Sequence, residues 1–383
     1  MQWRSPVGVA MLFATNGAAF ASILPWYPTF AREWGLSEAV FGIVVACFAA
    51  GSLISSALPS VLVGRFGPIP VFTVGTVLLA GLVATVGWTS SGLGLALCLL
   101  SIGILDAVVD VGQNVAAMRV QARQKITIIS SMHACWSLGS VIGGGLATLA
   151  TARGVDPRWH LGTVAVVICL VALSGTRLID APPVPRQESA PARFRWRGLL
   201  PVLPLALLAT AGTVVEDAAN NWSGLAAVEL AGAGVGTAGI AFTLVLAAQC
   251  AGRFTGDPLI QRFGRVRIAR IGGALILLGG ILIVSAGGWP LYSLGLLAVG
   301  FGCATLVPSA YAAAATLPGV PEGAGVTLLS WLMRIGFLAT SPVIGLLATA
   351  ASLRAALGLL LLCGVLAWAF APSLKTGLVE KQL

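Results

Sequence analysis

The sequence predicts an all-α membrane protein: twelve transmembrane helices in two pseudo-symmetric six-helix bundles. Three observations carry that expectation. The 383-residue chain is 57% hydrophobic and only 9% charged, with a mean hydropathy of +0.96. Soluble domains carry about 25% charged residues, so this chain cannot cover a water-facing surface, and its solvent is lipid. Twelve apolar runs reach the roughly 20 residues that a spanning helix needs, and none alternates as barrel strands do. Finally, Arg65-Phe66-Gly67 in VLVGRFGPIPVF recurs 197 residues later as Arg262-Phe263-Gly264 in PLIQRFGRVRIA. A charged turn repeated at half the chain length suggests duplication.

The runs lie near 7–30, 38–63, 69–90, 92–118, 126–151, 159–179, 198–228, 235–260, 267–287, 290–316, 322–350 and 353–371. Trp3 and Arg4 lead into the first, which carries Asn16, Pro25 and Pro28. No small-residue cleavage site follows a short apolar core, so this run is read as a span, not a cleaved signal. The fourth run, SIGILDAVVDVGQNVAAM, places Asp106, Asp110 and Asn114 at i, i+4 and i+8, on one helical face. In the fifth, His133 and Trp136 share a face. The segment 180–197, DAPPVPRQESAPARFRWR, is rich in proline and arginine and has no apolar face. It reads as a linker between halves 1–179 and 198–371, with 372–383 as a tail. The seventh run holds TVVEDAANNWSG, where Glu216 and Asn220, and Asp217 and Asn221, are i,i+4 pairs. Gln249 and the i,i+4 pair Arg253 and Asp257 lie on the eighth. Arg334 is an isolated cation in the eleventh. That run also carries Ser341-Pro-Val-Ile-Gly-Leu-Leu-Ala-Thr349, an echo of Ser140-Val-Ile-Gly-Gly-Gly-Leu-Ala-Thr148 in the fifth.

The net charge of +9 would suggest nucleic acid in a soluble protein. Its distribution gives a different reason. With a cytoplasmic N-terminus, most Lys and Arg fall in cytoplasmic segments, and only Arg32, Arg153, Arg158 and Arg354 fall outside. Arg253 and Arg334 lie in or near the membrane. This is the positive-inside bias, which puts both termini in the cytoplasm and calls for no nucleic-acid partner. Trp26, Trp34, Trp88, Trp159 and Trp289 suit the outer interface and Trp196 the inner one. The seven cysteines all sit in apolar runs without ligand spacing, and two histidines are too few for a metal cluster. No cofactor is expected. The chain has no GxxxxGK[ST] loop and so no ATPase of its own.

An ionisable side chain at membrane depth costs at least about 2.5–3.5 kcal/mol, so such groups face a bundle interior or water. They are the functional candidates. Burial and a nearby like charge raise a carboxylate's pKa, which lets it carry a proton near neutral pH. Asp106, Asp110, Glu216 and Asp217 are the candidate coupling carboxylates, led by Asp110 and Glu216. Asn16, Asn114, His133, Trp136, Asn220, Asn221, Trp222, Gln249 and Arg334 are the candidate substrate contacts. Each has a structural alternative: a polar seam bonded to a neighbouring helix, a histidine holding an adjacent span, a tryptophan filling a gap. Arg334 either pairs with Glu216 or Asp217 or meets an anionic group on the substrate, with pairing preferred.

The paired turns resemble the loop motif Gly-x-x-x-Asp-Arg-x-Gly-Arg-Lys of the major facilitator superfamily. The first copy keeps only Arg65 and Gly67, with Ser60, Gly64 and Pro68 in place of Gly, Asp and Arg. The second keeps Arg262, Gly264 and Arg265, with Gln261 at the Asp position and Asp257 at the first Gly position. Five further stretches are similar to the YbjJ-like bacterial branch: Asp110-Val-Gly-Gln-Asn114, Ser130-Ser-Met-His-Ala-Cys-Trp-Ser-Leu-Gly139, Glu216-Asp-Ala-Ala-Asn-Asn-Trp-Ser223, Ala251-Gly-Arg-Phe-Thr-Gly-Asp257 and Leu317-Pro-Gly-Val-Pro321. Asp110, Asn114, Glu216, Trp222 and Ser223 match that pattern. Asp106 is additional, Asn221 stands where relatives have Asp, and Arg334 stands where relatives have an apolar or aromatic residue.

The resemblance implies a secondary transporter that works by alternating access, two halves rocking around a central site. It also implies a conformational latch at Arg65, Arg253, Asp257 and Arg262. The expectation is a monomeric protein of the bacterial inner membrane, not an enzyme, with protons, lipid and a small molecule as partners. Proton-driven efflux of an amphipathic solute is favoured over proton-coupled uptake. A membrane sensor is the rival from another class. An intramembrane enzyme using Asp106 and Asp110 is disfavoured: neighbouring turns of one helix place opposed catalytic groups poorly, and no GxGD motif occurs.

Overall fold

The computed structural model describes residues 3–124, 128–180, 202–314 and 324–375. Every regular element among them is helical. In chain order these are α1 (Arg4–Ala21), α2 (Tyr27–Glu33), α3 (Glu38–Ile54), α4 (Leu58–Phe66), α5 (Pro68–Val86), α6 (Gly92–Gln124), α7 (Ile129–Ala152), α8 (Pro157–Thr176), α9 (Leu203–Ala231) and α10 (Gly239–Phe263). They continue with α11 (Arg265–Val284), α12 (Trp289–Cys303), α13 (Leu306–Ala314), α14 (Ala324–Ala350), α15 (Leu353–Ala356) and α16 (Leu359–Phe370). The expected linker beyond Asp180, the stretch Leu317–Pro321 and the end of the tail lie outside the described residues.

Among the described residues, ten segments are long and apolar enough to cross a membrane, and the bent pair α3 and α4 makes eleven. Of the twelve expected runs, the seventh does not reach that apolarity. The seventh run is α9, whose 29 residues have the length to cross. Glu216, Asp217, Asn220 and Asn221 hold down its hydropathy, so it is not among the apolar spans. Prolines interrupt other runs. Pro25 and Pro28 break the first into α1, a 3₁₀ turn at Leu24–Trp26 and α2. Pro59 at the start of α4 has no N–H to continue α3, and the two helices meet at 53°.

The chain divides into two compact units: Met1–Gln187 with Gly234–Thr243, and Glu188–Ala233 with Leu244–Leu383. In the first, α1 packs on α7 and α8, and α6 on α3 and α5. The first turn of α10 belongs here, with the Thr148 and Thr243 hydroxyls 2.9 Å apart. In the second, α9 packs on α14 and α16, and α11 on α12 and α16.

α11 shows how glycine sets these contacts. Its sequence GGALILLGG places Gly272 and Gly279 seven residues apart, hence on one face, and Gly273 and Gly280 on the next. A Cβ on Gly279 would lie 2.6 Å from the Gly295 carbonyl oxygen of α12, and one on Gly295 would lie 2.8 Å from that of Gly279. A Cβ on Gly273 would lie 2.9 Å from the Gly364 oxygen of α16. Two neighbours thus approach one helix to backbone contact, which only glycine permits.

The two Arg-Phe-Gly turns share one geometry. Gly67 and Gly264 both have φ of +82°, a left-handed conformation that favours glycine. In each, the arginine guanidinium lies 5.2 Å from the centroid of the next phenylalanine ring. The helices that leave the turns differ in their first residues. α5 opens Pro68-Ile69-Pro70, and α11 opens Arg265-Val266-Arg267.

Candidate functional site

The candidate residues gather into one cluster in each unit. In the first unit, α1, α6 and α7 meet at Asn16, which is 4% exposed. Its Nδ2 donates to Asp106 Oδ1 at 2.9 Å, and Trp136 Nε1 donates to its Oδ1 at 2.7 Å. A small amide can bridge here because glycines let the helices close: Gly17 lies against the Trp136 carbonyl and Gly139 against that of Ala14. His133 presents its ring edge-on to Phe13, with centroids 5.5 Å apart. Asp110 is exposed and is bonded within its own helix, to Asn114 Nδ2 at 3.1 Å and Gln113 Nε2 at 3.3 Å. Asp106 thus makes a contact across helices, to Asn16 on α1. Asp110, which leads on sequence grounds, does not bond to Asn16 or Trp136.

In the second unit, α9 turns two polar seams to different neighbours. Asp217 is 3% exposed. Its Oδ1 accepts from Asn221 Nδ2 at 2.7 Å, and its Oδ2 accepts from Ser341 Oγ on α14 at 2.9 Å. Ser341 Oγ in turn accepts from Trp222 Nε1 at 3.2 Å and Asn221 Nδ2 at 3.3 Å. Among the described residues, every partner of this buried carboxyl group is uncharged. Glu216, one residue earlier and so about 100° round the helix, faces α10. Its Oε1 accepts from Arg253 Nη2 at 3.1 Å, with the two side chains 27% and 31% exposed. Gln249, buried on α10, sits with its Nε2 3.8 Å from Cys303 Sγ. The Oδ1 of half-buried Asn220 has no hydrogen-bond partner among the described residues.

Two expected pairings are corrected. Arg253 reaches across to Glu216 and is not paired with Asp257 on its own helix, and Asp257 is exposed. Glu216 and Asp217 are held by Arg253 and by Ser341 and Asn221, not by Arg334, which lies half-buried on α14. For Arg253 the contact from a neighbouring helix outweighs the alternative, because a same-helix i,i+4 ion pair supplies only about 0.2–0.5 kcal/mol. The Glu216–Arg253 link predicts a thermodynamic coupling. Glu216→Gln or Arg253→Gln alone strands a partly buried charge. Each single variant is expected to lower Tm more than the double variant does. Additive losses in thermal unfolding would mean that the two groups act separately.

Ser341 lies outside the candidate set, although its signal is present in the stretch Ser341–Thr349 that echoes Ser140–Thr148. Ser140 and Ser341 are 201 residues apart, and so are Asn16 and Asp217. The same offset joins His133 to Arg334 and Trp136 to Phe337. Asn16 bonds to α7 and Asp217 bonds to α14, so the two clusters are related by the same 201-residue offset.

Comparison with known proteins places this arrangement. Residues 9–215 match the model of the Major Facilitator Superfamily. An uncharacterized MFS-type transporter of Yersinia pestis is 25% identical over 358 residues, covering 92% of this chain and 91% of that protein. An uncharacterized transporter of Sinorhizobium fredii is 28% identical over 380 residues, covering 97% and 98%. The solved structure of a D-xylose-proton symporter aligns with a TM-score of 0.74 and 16% identity over 98% of each chain, a likeness of fold. With the family model spanning more than half of its length, this multi-span membrane protein belongs to the Major Facilitator Superfamily.

Proposed function

We propose that this transporter couples solute movement to protons, with Asp217 as the principal proton-carrying group. The observation that supports this is the buried Asp217 carboxyl group, bonded only to uncharged donors among the described residues. A bare charge in such a place is costly unless it is paired. Taking up a proton removes the charge, so the α9–α14 contact through Ser341 has a charged and an uncharged form. A group whose protonation changes a helix contact is what coupling by alternating access requires. Asp106, held by Asn16 between three helices, is the second carrier. Glu216 acts with Arg253, exchanging that cation for a proton, and Asp110 is the exposed carboxylate through which protons reach Asp106. Asn16, Asn114, His133, Trp136, Asn220, Asn221, Trp222, Gln249 and Arg334 remain the proposed substrate contacts.

The proposed direction is efflux of a small amphipathic solute from a bacterial cell across the inner membrane, with both termini cytoplasmic. Support for the orientation is the lysine and arginine bias of the loops. A thermal-shift screen at two pH values identifies the solute. Purified protein in liposomes is then given an imposed pH gradient. Solute and protons moving in opposite directions is the expected result. Co-directional movement would mark an uptake symporter. Transport that ignores the gradient and survives Asp110→Asn and Glu216→Gln would rule out coupling through those two residues.

A further inference from the structure

We propose that the second Arg-Phe-Gly turn is a binding site for the headgroup of an acidic phospholipid. Arg262 and Arg267 both lie over one ring, that of Phe263, with guanidinium carbons 5.2 and 5.7 Å from its centroid. Arg270, one turn further along α11, lies 5.1 Å from the centroid of Trp368 on α16. All three arginines are exposed, and the rings themselves are 41% and 51% exposed. Three cations gathered within about two helical turns repel one another. The ion pairs among the described residues are Arg123 with Asp180 and Arg253 with Glu216, so no carboxylate there neutralises these three. An acidic headgroup supplies a counter-charge to all three.

The backbone favours the same ligand. α11 begins at this turn with no side-chain cap, and Arg265, Val266 and Arg267 carry free first-turn N–H groups at the positive end of a 20-residue helix. Guanidinium forks and helix N-termini both suit phosphate oxygens. Exposed aromatic rings beside the cations suit the boundary between headgroups and acyl chains. That combination points to a phosphodiester attached to lipid, not to a free ion. The first turn supplies an internal comparison. It has the same glycine geometry and the same stacked arginine, but Pro68 and Pro70 remove two N–H groups and no arginine follows. The site is therefore a property of the second half only, and it gives its additional arginines a role separate from solute transport.

The test is native mass spectrometry of the full chain in detergent, titrated with phosphatidylglycerol or phosphatidylcholine. Wild type is expected to retain phosphatidylglycerol in preference. Arg267→Gln with Arg270→Gln should weaken retention roughly thirtyfold, from the contribution of two surface cations. Arg65→Gln should leave it within about twofold, since that turn lacks the further cations. A double Arg→Lys variant, which keeps charge but loses the fork and the stacking, should fall between. Size-exclusion profile and helical circular dichroism establish that each variant is folded. Equal retention of both lipids, an unchanged double Gln variant, an equal loss in Arg65→Gln, or displacement by millimolar inorganic phosphate would each overturn the proposal.

Discussion

Asp217→Asn is expected to abolish proton-driven solute movement, by about a hundredfold or more, while the protein remains folded. Loss of a positioned proton-transfer group typically costs 10²–10⁴ in rate. The replacement keeps the shape of the side chain and can still bond to Ser341 and Asn221, so the α9–α14 contact persists in its uncharged form. What disappears is the alternation between two protonation states. Downhill exchange of labelled solute between equal pools should therefore continue, since it needs no proton movement. The comparison is made in one liposome preparation, with and without an imposed pH gradient. A variant that still concentrates solute in response to the gradient would remove Asp217 from the coupling path. Asp217→Leu adds a structural contrast. It removes the acceptor of Ser341 Oγ and the nearer acceptor of Asn221 Nδ2, and Tm should fall by several degrees more than in Asp217→Asn.

Gly279→Val is expected to be the most damaging single change among the α11 contacts. The added side chain meets the Gly295 carbonyl at 2.6 Å and Val299 Cγ2 at 2.7 Å. Neither α11 nor α12 can yield locally, because Gly272 and Gly302 hold the same interface two turns away. Overpacking of this kind costs about 3 kcal/mol. Thermal unfolding in detergent should show a large fall in Tm and increased aggregation. Gly81→Val is the control: it is also helical, on α5, but a Cβ there meets nothing within 4 Å. If both variants melt alike, the loss reflects helix propensity and not the close approach.

Much of the fold could be read from hydropathy, because each lipid-crossing helix satisfies its own backbone and so declares itself in the sequence. The breaks at Pro25 and Pro28 and at Pro59 fall inside runs 7–30 and 38–63, which hydropathy alone reads as continuous. α9 was a further exception, since the groups that make it interesting are the ones that weaken its apolar signal. The candidate site was legible as a set of residues and less so as a set of partners. Sequence spacing offered Asp257 to Arg253, but rotation of α10 turned Arg253 towards Glu216 on α9. Likewise Asp106 and Asp110 share one face, and only the placement of α1 against α6 and α7 gives Asn16 to Asp106. Helix rotation depends on where small residues allow approach, and that is a property of pairs of helices, not of either run alone. Ser341 could have been found by aligning the halves at their 201-residue offset.

That offset also bears on what the membrane potential does. Of the two corresponding positions, Asp217 holds a carboxyl group and Asn16 an amide. With Asp217 as carrier, this pair of positions moves a single elementary charge per turnover. One charge crossing 100 mV is worth about 2.3 kcal/mol, close to a fiftyfold solute gradient. Transport of a neutral solute would then be electrogenic, and its rate would follow the voltage across the bilayer even where the pH on both sides is equal.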